Sequence, residues 1–200
     1  MAIDKSMRQK KTSNSISLEV DLDELFGVIV PDNTLFRQAV GQAIIDKIRS
    51  RAQDDNAGVD GGFSAYSPEY KESDDFKIYG KSEGDVNLTA SGDMLNLMDI
   101  IEEGKNKIII GWNDSLQSAK AHGHVTGSVG KKRNFLGLRP SEVSDIREMF
   151  EDQLPLGDAE EREENLVDII REQLSTSRPI GVTTIDTVVA RNFLDELDES

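Results

Sequence analysis

A long segment with helical periodicity, from about residue 33 to residue 54, constrains the fold of this chain most strongly. Its apolar side chains recur every three or four residues, at Phe36, Ala39, Val40, Ala43, Ile44, Ile48 and Ala52. That spacing places them on one face of an α-helix. Pro31, Asp32 and Asn33 precede it and supply helix-breaking and N-capping residues. Such a helix must bury its apolar face against another layer of structure.

Two other segments have the patterns of β-strands. Residues 16–22 alternate apolar and polar side chains, which is the period of a strand with one buried face. Residues 107–112 are mostly apolar and indicate a buried strand. We predict a β-hairpin across Gly104 after a helical turn, with a helix over residues 90–103 as the alternative. Because helix and strand periods occur in one chain, we predict an α+β fold, a small β-sheet flanked by helices.

Turn and capping residues divide the rest of the chain. Residues 54–62 are rich in Gly and Asp and are predicted to form a loop. A short helix is predicted from Asn113 or Asp114 to His122, and another from Ser141 to about residue 154.

The chain is predicted to have three regions. Residues 1–15 are polar and are expected to form a flexible N-terminal arm, and residues 16–154 are expected to form the α+β domain. Residues 155–200 are an acidic C-terminal extension, which we expect to be mostly helical or extended, with a charged helix over about 158–174. The extension has too few apolar residues to form a core of its own.

Composition excludes several classes of protein. The chain has no cysteine, so disulfide frameworks and thiolate metal sites are excluded. The sequence contains no run of about 18 apolar residues, so we expect no membrane-spanning helix. The basic N-terminus lacks the apolar stretch of a secretory signal. We therefore expect a protein made in the cytoplasm, with no membrane among its partners.

The net charge of −15 is distributed unevenly. Residues 141–200 contain 17 acidic and 5 basic residues, whereas residues 119–139 contain five basic residues and no acid. This asymmetry has two interpretations, contacts with other chains along charged surfaces and ordinary solubility. A chain this acidic is a poor candidate for a nucleic-acid-binding protein. Phosphate contact by the basic segment 131–133 is the less favoured alternative to a subunit contact or to simple solvation.

Motifs of known chemistry are few. His122 and His124 form a His-x-His pair that can supply two metal ligands, although local hydrogen bonding is the simpler interpretation. The chain has no Gly-x-Ser-x-Gly element and no phosphate-binding Gly-x-x-x-x-Gly-Lys loop. We therefore predict no catalytic residue, no metal site and no cofactor.

Apolar and aromatic residues near the basic segment have two interpretations. The first interpretation of Trp112, Phe135 and Leu136 is that they pack in the core. The second interpretation is that they form a subunit interface, since aromatic residues and Arg are enriched at interfaces. The complete set of predicted interface residues is Trp112, His122, His124, Arg133, Phe135 and Leu136.

An ordered series of motifs resembles the virion-morphogenesis, or tail-completion, family of tailed phages. The series is Tyr66-Ser-Pro-Glu-Tyr70, a Leu-Thr-Ala-Ser-Gly stretch from Leu88, the apolar strand ending in Trp112, the His122-Gly-His124 segment, and Arg133-Asn-Phe-Leu-Gly137. The resemblance covers about residues 36–150. Lys132 stands where the family pattern has Pro, and the extension after residue 154 has no counterpart in the family.

The resemblance implies a non-enzymatic structural protein of the virion, made in the host bacterium. Such a protein is expected at the neck or tail-completion position, as a ring, commonly a hexamer, that joins head and tail around the DNA channel. Its expected partners are itself, neighbouring neck, connector, tail-terminator or tail-tube proteins, and the genomic DNA that passes nearby. A head-completion adaptor is the near alternative. From other classes, the alternatives are a metal-dependent hydrolase using His122 and His124, and an acidic module that binds a basic host protein.

Overall fold

The computed structural model of the protein describes residues 4–84 and 86–154. In chain order its elements are β1 (Met7–Lys11), β2 (Ile16–Asp21), α1 (Leu22–Phe26), α2 (Thr34–Gln53), β3 (Ala57–Gly58), β4 (Gly61–Gly62), α3 (Pro68–Glu72), α4 (Asp74–Ile78), α5 (Asp93–Asn96), β5 (Asp99–Glu103), β6 (Lys107–Gly111), α6 (Ser115–Thr126) and α7 (Pro140–Phe150). A short 3₁₀ turn, Glu151–Gln153, follows α7. The predicted α+β fold is confirmed.

Four of the strands form one antiparallel sheet in the order β1-β2-β6-β5. In β2, Ile16, Leu18 and Val20 are buried and the residues between them are partly exposed. Ile108 and Ile110 of β6 pair with Val20 and Leu18, so the same face of the sheet is apolar in both central strands. Alternation along these strands therefore gives the sheet one packed face, as the sequence predicts.

The hairpin of β5 and β6 turns at Gly104, whose N–H donates to the carbonyl of Lys107 at 2.7 Å. A register shift between Ile100 and Glu102 forms a β-bulge in β5. Only the four residues of α5 before the hairpin are helical. The predicted hairpin is confirmed, and the alternative helix over residues 90–103 is wrong because the backbone of β5 pairs with β6.

The structure differs from the predicted flexible arm over residues 1–15. Residues 7–11 form β1 and pair along the whole of β2. Met7 is buried, and the side-chain amide of Gln9 donates to Asn134 Oδ1 at 2.8 Å and to the carbonyl of Leu136 at 2.7 Å. The buried side chain of Met7 and the two amide contacts of Gln9 fix this edge strand, and they do not produce the apolar alternation that predicts strands.

Helix α2 covers the packed face of the sheet. Asn33 is its N-cap, and its side-chain oxygen accepts from the N–H groups of Leu35 and Phe36. The buried face of the helix includes Val40, Ile44, Ile45 and Ile48, which confirms the predicted amphipathic helix. The rings of Phe26, Phe36 and Phe150 meet beside it with centroids 5.6 to 6.4 Å apart, which joins α1, α2 and α7.

Arg51, near the end of α2, fixes the segment that leads into α7. Its side chain is 2% exposed. Nη1 forms an ion pair with Glu142, and Nη2 donates to the carbonyls of Phe135 at 2.6 Å and Gly137 at 2.7 Å. Burial lowers the pKa of the guanidinium, and the nearby Glu142 carboxylate raises it. These contacts hold residues 133–139 against the helix.

Three predicted boundaries differ from the structure. The predicted loop over residues 54–62 contains the short antiparallel pair β3 and β4. Helix α6 continues past His122 to Thr126, where Gly127 adopts the left-handed conformation that ends many helices. Helix α7 ends at Phe150, before the predicted residue 154. The predicted C-terminal extension, with its helix over residues 158–174, lies outside the described residues.

Candidate functional site

A cavity of about 500 Å³ opens between the end of α6, the segment that follows it and the aromatic residues of α3. Its lining combines basic, hydroxyl, aromatic and small apolar side chains, and none of the lining residues within 4–84 and 86–154 is a carboxylate. The lining residues are Tyr66, Ser67, Tyr70, Lys81, Leu88, Thr89, Ala90, His124, Val129, Gly130, Lys131 and Arg133. In a chain of net charge −15, a cavity lined in this way is the clearest candidate for a binding site.

Aromatic rings form one wall of this cavity. Ser67 caps the short helix α3 by accepting from the N–H of Tyr70, and Ser73 caps α4 by accepting from the N–H of Phe76. These caps set the directions of two consecutive helical turns. The rings of Tyr66, Tyr70 and Phe76 then meet with centroids 5.1 to 5.7 Å apart, the two contacts with Phe76 being edge-to-face.

Arg133 lies against that wall. Its guanidinium carbon is 5.5 Å from the centroid of the Tyr66 ring, a cation–π contact. Its Nε is buried and has no hydrogen-bond partner, and no carboxylate among residues 4–84 and 86–154 forms an ion pair with it. Burial lowers the pKa of Arg133, and Tyr66 and Tyr70 raise it. The backbone N–H of Arg133 donates to the carbonyl of His124 at 2.7 Å, which ties the residue to α6.

His124 projects from the last turns of α6 towards the same cavity. Burial, and then the positive charge of Arg133, lower the pKa of its imidazole to about 4. The imidazole is therefore neutral at pH 7. Its Nδ1 is buried and has no hydrogen-bond partner. Two buried polar atoms without partners, on His124 and Arg133, thus occur at one cavity.

The two histidines do not form a shared metal site. Residues two apart on an α-helix point about 200° away from each other. His122 and His124 both belong to α6, so their side chains leave the helix on nearly opposite sides. The described residues also contain no group of three or more histidines and carboxylates that is suited to a metal ion. The proposed ligand pair of the hydrolase alternative is therefore contradicted by helix geometry.

Three of the predicted interface residues lie in the core. Trp112, Phe135 and Leu136 are all buried. The indole N–H of Trp112 donates to the carbonyl of Met94, and its ring lies 6.3 Å from that of Phe135. Core packing is thus the correct one of the two interpretations for these residues, since a buried side chain is not available to a partner. Of the other three, His124 and Arg133 line the cavity and His122 is half-buried.

The sheet presents a second candidate surface at its two outer strands. Strand β1, Met-Arg-Gln-Lys-Lys, contains three basic residues and no acid, whereas β5, Asp-Ile-Ile-Glu-Glu, contains three acids and no basic residue. Within the chain, Lys10 forms an ion pair with Glu19, and Glu103 lies 3.7 Å from Arg37. Arg8 and Glu102 are exposed. The two outer strands of the sheet therefore carry opposite charge, and within residues 4–84 and 86–154 neither pairs with a further strand.

No family model, curated protein or solved structure matches this chain. None of the helices within residues 4–84 and 86–154 is long and apolar enough to cross a membrane. The sequence alone did not indicate the cavity. Its walls come from residues 66–70, 81–90 and 124–133, and no pattern within these segments predicts that they meet.

Proposed function

We propose that this chain is a structural, non-enzymatic subunit of a tailed phage particle, placed at the neck or tail-completion position. Copies of the chain form a closed ring there, which joins head and tail around the DNA channel. The ordered motifs from Tyr66 to Gly137 support the family. The opposite charges on the two edges of the sheet are the observation that carries the ring.

Strand direction favours a head-to-tail contact between copies. Neighbouring strands alternate in direction across the sheet, so the two outer strands, β1 and β5, run in opposite directions. When two copies lie side by side in the same orientation, β5 of one copy is antiparallel to β1 of the next. The contact therefore continues the antiparallel sheet from one subunit into the next and pairs two exposed edges.

Charge supports the same contact. Full-length antiparallel alignment of the two five-residue strands places Arg8 opposite Glu102. Arg8 pairs in-chain with Glu19, and Glu102 pairs with Ile109, both on the face of the sheet away from α2. The basic and acidic side chains thus meet on one face. Opposite charges across neighbouring strands are favourable, and like charges are unfavourable.

A contact between two different surfaces of the same subunit closes into a ring when the rotation between copies allows it. The basic edge of one copy cannot pair favourably with the basic edge of another, so charge selects the head-to-tail arrangement over a symmetric dimer. A ring of such subunits suits a position around a conduit, between neck, connector, tail-terminator or tail-tube proteins. A hexamer in the virion, assembled from subunits made in the host cytoplasm, is the arrangement that the resemblance implies.

A charge exchange tests this contact. We expect the purified full-length chain to form rings visible by negative-stain electron microscopy and to sediment as a homo-oligomer. Arg8→Glu and Glu102→Arg each place like charges across the interface, so each variant alone is expected to sediment as smaller species. An equimolar mixture of the two single variants restores opposite charges wherever the two chains alternate around the ring, and the double variant R8E/E102R restores them within every contact.

Matched controls separate this interface from general surface charge. Lys120→Glu changes an exposed residue of α6 by the same charge and is expected to leave the rings intact. Recovery of rings in the double variant supports the edge contact. Rings that persist in both single variants, or a monomeric wild-type chain at the concentrations of assembly, contradict it.

A further inference from the structure

The cavity at the end of α6 contains buried polar atoms that the described chain does not satisfy. Nε of Arg133 and Nδ1 of His124 are both buried without hydrogen-bond partners. A buried polar atom without a partner is unfavourable, so such atoms are uncommon in folded proteins. Both residues line one open cavity, which is therefore a place where a bound group would meet polar side chains that the described chain leaves incompletely paired.

The charge of the cavity indicates which group. Arg133 has no carboxylate partner within the described residues, and Lys81 and Lys131 contribute two further cations to the lining. Lys131 donates to the carbonyl of Ala65 at 2.9 Å, which holds its ammonium group at the rim. A half-buried guanidinium without a counter-ion favours an anion, because a buried charge is stabilised by an opposite charge.

The geometry of Arg133 favours a carboxylate. The Tyr66 ring contacts the guanidinium, and the Nε–H edge is left without a partner. A carboxylate can accept two parallel hydrogen bonds from the N–H groups that a guanidinium presents to a cavity. The remaining wall is apolar at Leu88, Ala90 and Val129, which suits the aliphatic stem of an acidic side chain.

We infer that this cavity binds an aspartate or glutamate side chain of an acidic peptide segment on another protein. A nucleic acid is the less suitable occupant, since it brings many phosphates against a chain of net charge −15, whereas one carboxylate needs only the local basic groups. The site is separate from the sheet edges that carry the proposed ring. Its binding can therefore be tested whether or not the ring forms.

Fluorescence anisotropy with a labelled glutamate-rich peptide measures this binding on the full-length chain. The same peptide with glutamine in place of glutamate is the matched ligand. Arg133→Met is expected to weaken binding of the glutamate peptide at least about tenfold, because a charge-assisted hydrogen bond of about 1.5–3 kcal/mol is lost. Lys132→Met removes the same charge from the neighbouring exposed residue, which does not line the cavity, and is expected to change binding less than about twofold.

A second variant keeps the test valid if Arg133→Met unfolds. Val129 lines the cavity and is 67% exposed, so Val129→Glu places a competing carboxylate at the opening with little effect on packing. It is expected to weaken binding of the glutamate peptide about tenfold or more. Leu116→Glu introduces the same change at a residue of α6 that is 60% exposed and outside the cavity, and is expected to have no such effect.

Three results overturn the inference. The first is equal affinity for the glutamate and glutamine peptides. The second is equal affinity of the cavity variants and their matched controls for the glutamate peptide. The third is tighter binding of a single-stranded oligonucleotide of the same net charge at this cavity, which assigns the site to phosphate. Preference for the glutamate peptide, lost in the cavity variants alone, supports it.

Discussion

Arg51 supports a sharp prediction about the stability of the fold. Replacing it by Met keeps the length of the side chain and removes the guanidinium, which has three polar contacts. The carboxylate of Glu142 then lacks its ion pair, and the carbonyls of Phe135 and Gly137 lack their side-chain donor. Because Arg51 is 2% exposed, solvent does not readily replace these interactions.

The expected loss follows from these contacts. Breaking a buried ion pair by removing one partner costs about 3–5 kcal/mol, and each carbonyl left without a donor costs about 1–3 kcal/mol. Two effects reduce the sum: Met fills the apolar space, and the buried Nε of Arg51, which has no partner, is removed. We therefore expect Arg51→Met to lower the free energy of unfolding by about 4 kcal/mol.

Urea denaturation followed by circular dichroism measures this loss. With a slope of about 2 kcal/mol per molar urea, the midpoint is expected to fall by about 2 M. Lys120→Met, at an exposed position, is expected to change the free energy of unfolding by less than about 0.5 kcal/mol. A double-mutant cycle with Glu142→Gln gives the part that belongs to the ion pair. A decrease in the free energy of unfolding of less than about 1 kcal/mol for Arg51→Met refutes the reasoning. The buried contacts of Arg51 would then contribute no more than an exposed ion pair.

Two further predictions concern the cavity and the segment that leads into α7. Because the folded-state pKa of His124 is about 4, below its ordinary 6.5, the unfolded chain takes up a proton first as the pH falls. The contribution of neutral His124 to the free energy of unfolding is complete above about pH 6.5. About 3 kcal/mol of it is lost by pH 4. We expect the urea midpoint of His124→Gln to fall less between pH 7 and pH 4 than the midpoint of the wild type. An equal fall in both proteins contradicts the assignment of this loss to His124. Gly58→Ala should destabilise the fold by about 1–3 kcal/mol in thermal melts, because a Cβ there would overlap the backbone carbonyl of Asn134. Gly62→Ala, which meets nothing within 4 Å, is the control, and equal melting temperatures of the two variants contradict the overlap.

Strong periodicity made part of the fold predictable from the sequence. Helix α2 and strand β2 have their apolar residues at the spacing of their structures, and Gly104 marks the turn of the hairpin. Strand β1 lacks such a signal, because its packing depends on Met7 and on the amide contacts of Gln9. Its pairing is a tertiary effect that local pattern does not encode.

The candidate site was less predictable, because it depends on distant segments meeting in space. Tyr66 and Arg133 are far apart in the chain, and nothing in either motif indicates that the guanidinium lies against the ring. The pair of histidines shows that the meaning of a spacing depends on the secondary structure that contains it. A His-x-His spacing brings two ligands to one side of a strand, but the segment is a helix, and the side chains diverge.

The central claim is that this chain is a structural subunit at the joint between phage head and tail. Deletion of its gene from the phage, followed by electron microscopy of the lysate, tests that claim most directly. The account predicts filled heads lying apart from tails, with infectivity restored when the wild-type chain is supplied from a plasmid. Normal numbers of infectious, fully joined particles in the deletion lysate would contradict it.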